Sequence, residues 1–366
     1  MVYIMNNPYN PSFGQKPERF IGRDSIIFEI LNALENYNSP WRTTLLIGVR
    51  GSGKTALLTD LSETIKESDV LVVSVTPEGQ LLDNILSSLY QQMPKSLHGT
   101  LTKLSGVSAG SVSFVFDQQQ SEPEFTRNFR YQITKMLKRL QKKKYKVLLL
   151  LDESQKHSPD MTIFVSTYQH LIREGFDISL VMAGLPHVIS DILNDDILTF
   201  LRRAKQVPLK NVPYTKVSEE YAEIIQKQFE ITDETVQNAA ANTKGYPYLI
   251  QLMGYYLWEY LRRGEKEESA LQKALWESKQ MMFQNVHKLL YRELSSGDKE
   301  FVKAMAIDDE VSRFSDIIER TGRTKNHVST YRVRLIDFGY IQAVGHGELK
   351  FTLPYTRDFL QEEMHY

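Results

Sequence analysis

The chain of 366 residues contains no cysteine. Disulfides, cysteine-ligated zinc and iron–sulfur clusters are therefore excluded, and a reducing cytoplasm is compatible. Long apolar runs are lacking too. The greasiest stretch, Tyr248 to Leu261, is interrupted by Gln251, Gly254 and Glu259 and is too short to span a bilayer. Met1 to Phe20 carries Asn, Pro, Gln and charges, without the apolar segment of a secretion signal. A cytoplasmic protein with no membrane partner is expected. Net charge is −1, so no global field attracts nucleic acid, and any DNA contact must come from a local patch. The eight histidines show no H-E-x-x-H or similar spacing that would favour a zinc site. There is no internal repeat and no extended low-complexity segment. What is present is ordinary for a globular chain, 42% hydrophobic and 24% charged, and long enough for two or three domains.

The organising stretch is Gly48-Val49-Arg50-Gly51-Ser52-Gly53-Lys54-Thr55, which fits G-x-x-x-x-G-K-[ST]. An apolar β-type run, Thr43 to Ile47, precedes it, and a helix-spaced run from Ala56 to Leu61 follows. Glycines let the backbone curl so that successive N–H groups face phosphate oxygens, and the helix N-terminus adds its dipole. Gly48, Gly51, Ser52, Gly53, Lys54, Thr55 and Ala56 are the candidate nucleotide contacts. Lys54 would reach the β- and γ-phosphates, and the Thr55 hydroxyl would ligate Mg²⁺.

Around this loop the pattern is strand and helix in alternation. Residues 1–18 read as a polar lead-in, with Asp24 or Ser25 capping a first helix. Val70 to Val75, Val147 to Leu151 and Ile178 to Ala183 read as further buried strands, and Val207 to Leu209 as a short edge strand. Gly99 to Gln119 reads as a hairpin or small insertion; its Gly106 to Gly110 matches the nucleophile elbow G-x-S-x-G without the strand-to-helix context. Glu124 to Lys144 reads as a long helix whose lysine-rich end suits a solvated terminus, with nucleic-acid contact as the alternative. From Val217 the pattern is all-helical, and beyond residue 288 it gives short helices and a hairpin around Gly345-His346-Gly347.

Two carboxylates close the four-leucine strand, Asp152 and Glu153. They are costly to bury without a task. Asp152 would support Mg²⁺ beside Thr55, and Glu153 would polarise the attacking water. Arg202 and Arg203, after the fourth strand, are candidates for an arginine acting across a subunit boundary. In the C-terminal part, Phe314 to Arg320 and Lys325 to Phe338 form a helix pair. Val328, Tyr331, Leu335 and Ile336 would face inward, and Asn326, His327, Ser329, Thr330, Arg332 and Arg334 largely outward. No acidic residue lies between Arg320 and Arg334. Arg323, Lys325, Asn326, His327, Thr330, Arg332, Arg334 and His346 of the wing are therefore the candidate contacts to double-stranded DNA. The alternative is a winged helix used for protein packing.

The order Phe20-Ile21-Gly22-Arg23, P-loop, Asp152-Glu153, Ala183-Gly184-Leu185-Pro186, Arg202-Arg203, Gly245-Tyr246-Pro247 and winged helix resembles AAA+-type ATPases. It is most similar to the branch shared by origin-recognition initiators and STAND signalling ATPases. The resemblance implies an α/β fold, a P-loop NTPase parallel-sheet core over 1–212, an all-α lid over 213–287 and a C-terminal winged-helix domain over 288–366. It implies that Gly22 and Arg23 lie near the adenine and that Pro247 lies against the nucleotide. The chain departs from many relatives in lacking a polar residue after Ala183, with Ser179 the substitute, and in lacking a lid arginine. Slow hydrolysis of ATP with Mg²⁺, an ATP-dependent homo-oligomer and a DNA-associated switch are the expectation. A nucleotide-dependent switch acting on an effector protein without DNA is the rival, and a translocating motor the third reading.

Overall fold

Four short apolar runs and the mostly polar edge run Lys205–Pro208 become the five strands of one parallel sheet. The computed structural model describes residues 6–12, 21–65, 69–76, 80–98, 129–152, 159–194 and 199–365. Gly99 to Gln119, with its G-x-S-x-G match, and Glu153 lie outside the described residues. In chain order the first part holds α1 (Asp24–Glu35), β1 (Thr43–Ile47), α2 (Lys54–Thr64), β2 (Val70–Val75), α3 (Leu81–Gln92), α4 (Phe129–Gln141), β3 (Lys146–Leu151), α5 (Pro159–Arg173), β4 (Ile178–Gly184), α6 (Pro186–Asn194) and β5 (Lys205–Pro208). Asp24 is the first helical residue of α1 rather than its cap, which is Arg23.

The sheet order is β2-β3-β4-β1-β5. Strand alternation splits the core into two layers. Leu45, Leu149, Leu151, Leu180 and Met182 pack with residues of α3, α4 and α5. Leu46, Leu148, Leu150, Val181 and Ala183 pack with Ile30, Leu57 and Leu61 of α1 and α2. Each fully buried leucine contributes about 2 kcal/mol. Because β4 lies between β1 and β3, the loops after all three strands emerge along one sheet edge, where ligands bind in open α/β sheets. The proline-bearing β5 lies at the edge beside β1, where its missing N–H costs no ladder bond.

The helical part runs α7 (Tyr214–Tyr221), a π turn at Ala222–Gln226, α8 (Lys227–Phe229), α9 (Asp233–Asn242), α10 (Pro247–Arg262), α11 (Glu267–Met282), a second π turn at Phe283–His287, and α12 (Lys288–Glu293). Residues 6–12 are irregular, as their prolines dictate, yet they are packed rather than a free lead-in. Tyr9 is 4% exposed because Gly254 of α10 leaves room for its ring; a Cβ at Gly254 would sit 2.5 Å from it. Asn7 donates to Tyr255 O at 3.0 Å and to Glu259 Oε1 at 3.1 Å, and the Asn10 N–H donates to Gln251 Oε1 at 3.0 Å.

The C-terminal part is α13 (Ser296–Met305), β6 (Ser312–Arg313), α14 (Phe314–Thr321), α15 (Lys325–Asp337), β7 (Ile341–Gly345), β8 (Glu348–Phe351) and α16 (Thr356–His365). Its three strands form an antiparallel sheet in the order β6-β8-β7. One apolar cluster joins it to the helical part, running from Tyr246, Leu249 and Met282 to Phe301, Val328, Leu335 and Leu360. No described helix is long and apolar enough to cross a membrane.

His287 sits fully buried in that junction. Its ring stacks on Phe359 at 5.5 Å, and Nε2 lies 2.8 Å from Pro354 O. Burial pulls its pKa down to about 4, against smaller upward pulls from the Pro354 carbonyl and Asp358. A depressed folded pKa means full stability above the unfolded value near 6.5 and loss as pH falls toward 4. The contribution lost is about 3 kcal/mol. Across pH 6.5 to 4, unfolding midpoints of the wild type should fall more than those of His287→Gln; parallel curves would contradict this.

Candidate functional site

The P-loop leaves β1 where Gly48 N–H donates to Gly184 O of β4 at 3.2 Å. Gly51 and Gly53 take positive φ of 72° and 87° and curl the loop into the N-terminus of α2. The curl is filled from within by Lys54, whose Nζ donates to Gly48 O at 2.9 Å and Val49 O at 3.0 Å. The Ser52 hydroxyl is buried and has no hydrogen-bond partner among the described residues. It faces Gly48, where a Cβ would lie 2.2 Å from it. An orphaned hydroxyl, a lysine held by two loop carbonyls and a glycine-lined cradle fit a phosphate chain. Thr55 is exposed on the first turn of α2, and Asp152 is half-buried at the end of β3, two strands away. Both lie at the same sheet edge, where their oxygens suit Mg²⁺. When bound, that ion would supply charge neutralisation at the phosphates. Among the described residues no group of three or more His, Asp or Glu forms a metal cluster.

Arg23 is 6% exposed beside this loop. It donates to Lys210 O at 2.6 Å and reaches Ser52 O at 3.5 Å, so its partners are carbonyls. Burial lowers its pKa. A buried guanidinium with no carboxylate partner among the described residues is costly unless a ligand completes its surroundings. Gly22, at φ 72°, lets the chain turn under Val212 just before it.

The crown of the loop, Val49 to Gly51, is clasped from the C-terminal half. The Tyr246 hydroxyl donates to Arg50 O, and Tyr248 N–H donates to Gly51 O at 3.2 Å. A Cβ on Gly51 would meet the Tyr246 hydroxyl at 2.3 Å. Arg50 pairs with Glu293 of α12 at 3.2 Å, and Val49 meets Gly339 after α15, where an added Cβ would lie 3.2 Å away. Pro247, the first residue of α10, sits within this roof. Sequence reasoning reached Pro247 but missed Tyr246, Tyr248, Glu293 and Gly339. The tyrosines flanking that proline were the available signal; nothing local marks Glu293 or Gly339.

The expectation for Ser179 needs correction. Ser179 pairs with Leu148 at the start of β4, five residues before Gly184 and so roughly 16 Å from the P-loop edge. It cannot sense nucleotide there. Arg202 and Arg203 are exposed on a 3-10 turn, Thr199–Arg203, and Arg202 Nε donates to Leu193 O at 2.7 Å, tying it to the end of α6. The basic imbalance of the C-terminal helices is cancelled in three dimensions. Arg320 grips Asp308 with two bonds of 2.6 and 2.7 Å, and Arg323 grips Glu300 at 2.6 and 2.9 Å. Arg334 holds Asp298, which is 3% exposed, at 2.6 Å, and donates to Ser295 Oγ at 2.8 Å. Arg332 is half-buried, its guanidinium 5.3 Å from the Phe314 ring centroid. Tyr331 and Ile336 are only partly buried, while Val328 and Leu335 are fully inside. Lys325, Asn326, His327, Thr330 and His346 are exposed. The other end of α15 lies against α6, where His187 stacks on Phe338 at 5.0 Å beside a groove of about 570 Å³.

Residues 19–174 match the AAA ATPase domain family, and residues 284–360 match a domain of unknown function, DUF8462. No curated protein matches the chain. Among solved structures, a Walker-type ATPase of Pyrococcus abyssi is similar at TM-score 0.64 and 16% identity, covering 94% of this chain and 97% of that one. Cdc6p from Pyrobaculum aerophilum gives 0.47 at 14% identity over 96% and 97%, and the ORC1 protein of Aeropyrum pernix in complex with DNA gives 0.43 at 15% over 95% and 94%. The match over residues 19–174, with this sheet order and this loop, supports an AAA-type P-loop ATPase core.

Proposed function

We propose that the protein is an ATP-controlled switch that binds duplex DNA through a C-terminal winged helix and assembles when ATP is bound. The observation that carries the switch is the clasp on Val49, Arg50 and Gly51 by Tyr246, Tyr248, Glu293 and Gly339. Any change of loop shape on filling with nucleotide must move groups from both the helical and the C-terminal parts. The division is 1–212 core, 213–287 lid and 288–366 winged helix, in a cytoplasmic protein. Gly48 to Ala56, Gly22, Arg23 and Pro247 hold ATP, Thr55 and Asp152 hold Mg²⁺, and Glu153 activates water. Arg202 or Arg203 serves a neighbouring subunit. Lys325, Asn326, His327, Thr330 and His346 form the accessible DNA-facing set. The test is binding of a labelled duplex without nucleotide, with ADP and with a non-hydrolysable ATP analogue, at two salt concentrations. Nucleotide-dependent, salt-sensitive binding supports the reading; no binding in any state refutes it.

Glu153→Gln should keep ATP affinity and lower turnover by about 100-fold or more, the usual scale for a lost general base. Normal phosphate release by this variant would remove Glu153 from the reaction.

One observation favours a second reading, a nucleotide-dependent switch acting on an effector protein without DNA. Arg320, Arg323 and Arg334 are held by Asp308, Glu300 and Asp298, so the C-terminal part offers few uncommitted cations to phosphate.

A further inference from the structure

We propose that the C-terminal end of α4 is a contact surface for the phosphate backbone of duplex DNA, on the core rather than on the C-terminal part; it rests on the DNA-binding reading above. Lys138, Lys142, Lys143 and Lys144 are all exposed there. None of their ammonium groups has an ion-pair or hydrogen-bond partner among the described residues. The neighbouring cations are occupied: Arg139 donates to His98 O at 2.8 Å, and Lys146 pairs with Glu35.

A helix dipole accounts for one or two cations near its end, not for four within seven residues that repel one another. Backbone geometry places the fourth of them. Lys144 stands at φ 61°, a left-handed position that follows the helix and normally falls to glycine. The turn is closed by Lys144 N–H on Gln141 O at 3.0 Å and Tyr145 N–H on Leu140 O at 3.1 Å. Glu230 and Lys244 take the same left-handed position after other helices, so the turn sets the direction in which Lys144 leaves the helix.

The ligand chemistry follows from the residue type. Lysines are point charges that meet phosphates without reading bases. Lys138 and Lys142 lie one turn apart, about 6 Å along the axis, so each can meet a different phosphate. The same face continues to Tyr131, which is 41% exposed. The patch leads into the start of β3, at the sheet edge opposite the P-loop. It can therefore be altered without touching the nucleotide site.

The test compares the full chain with a variant carrying Lys138→Gln, Lys142→Gln, Lys143→Gln and Lys144→Gly, and with one carrying Lys→Arg at all four positions. Duplex affinity is measured against salt, with ATP turnover as the control. The neutral variant should lower the slope of log K against log salt by about 3 to 4, and the arginine variant should restore it, with turnover unchanged in both. An unchanged slope in the neutral variant, with wild-type binding intact, overturns this inference alone. Wild type that binds no duplex in any nucleotide state overturns the DNA reading and this surface with it. Wild type that binds phosphatidylserine vesicles through these lysines, and duplex without them, also overturns it.

Discussion

Lys54→Ala should weaken ATP binding by about 100-fold or more, because charge-assisted contacts to phosphate contribute about 1.5–3 kcal/mol each. The side chain is 9% exposed at the first residue of α2, with its ammonium held by Gly48 O and Val49 O. Those carbonyls keep it extended across the cradle where the β- and γ-phosphates belong. Alanine is a strong helix former at that position, so folding should be little affected. Calorimetric titration with ATP and a thermal scan decide the matter. Unchanged affinity would show that the cradle holds no nucleotide phosphate, and an unfolded variant would be separated from it by the scan.

Gly245→Ala should give the largest loss of stability of any single-methyl change near the site. Gly245 has φ 69°, and a Cβ there would lie 2.1 Å from the backbone oxygen of Val212. Val212 N–H in turn donates to Gly245 O at 2.7 Å. Backbone meets backbone, so no side-chain rotation relieves the contact. Left-handed strain of about 1–2 kcal/mol adds to the clash, for a total of about 3 kcal/mol or more. The thermal midpoint should fall by roughly 5–10 °C. ATP affinity should fall as well, because the next residue is Tyr246, which is bonded to Arg50 O. Gly264→Ala is the control: φ is 81° but nothing lies within 4 Å, so only the backbone strain applies. Equal losses at the two positions would show that the Val212 contact does not constrain this turn.

The local signals were strong where spacing and residue type are sufficient. The glycines and lysine of Gly48 to Thr55 dictate a curled loop closed by an ammonium, because positive φ and a terminal ammonium are properties of single residues. The runs Thr43–Ile47, Val70–Val75, Lys146–Leu151 and Ile178–Gly184 are apolar on both faces, which only a sheet buried on both sides satisfies. The helix pair Phe314–Thr321 and Lys325–Asp337 followed from periodicity and the Thr321-Gly322 break. Ser179 was misread although, as the second residue of a strand in a parallel sheet, it stands at the amino end, away from the edge where the P-loop leaves β1.

By itself the sequence determined the strands, the curl of the P-loop, the turn at Gly245-Tyr246-Pro247 that opens α10 and the short C-terminal helices, since each depends on residues adjacent in the chain. The tertiary structure alone decided the strand order, the seating of Tyr9 on Gly254, the clasp of Tyr246 and Glu293 on the P-loop and the neutralisation of Arg323 and Arg334 by Glu300 and Asp298. These join residues up to about 245 positions apart, and a charge or a methyl-sized gap acts only on what folding brings within a few ångströms of it.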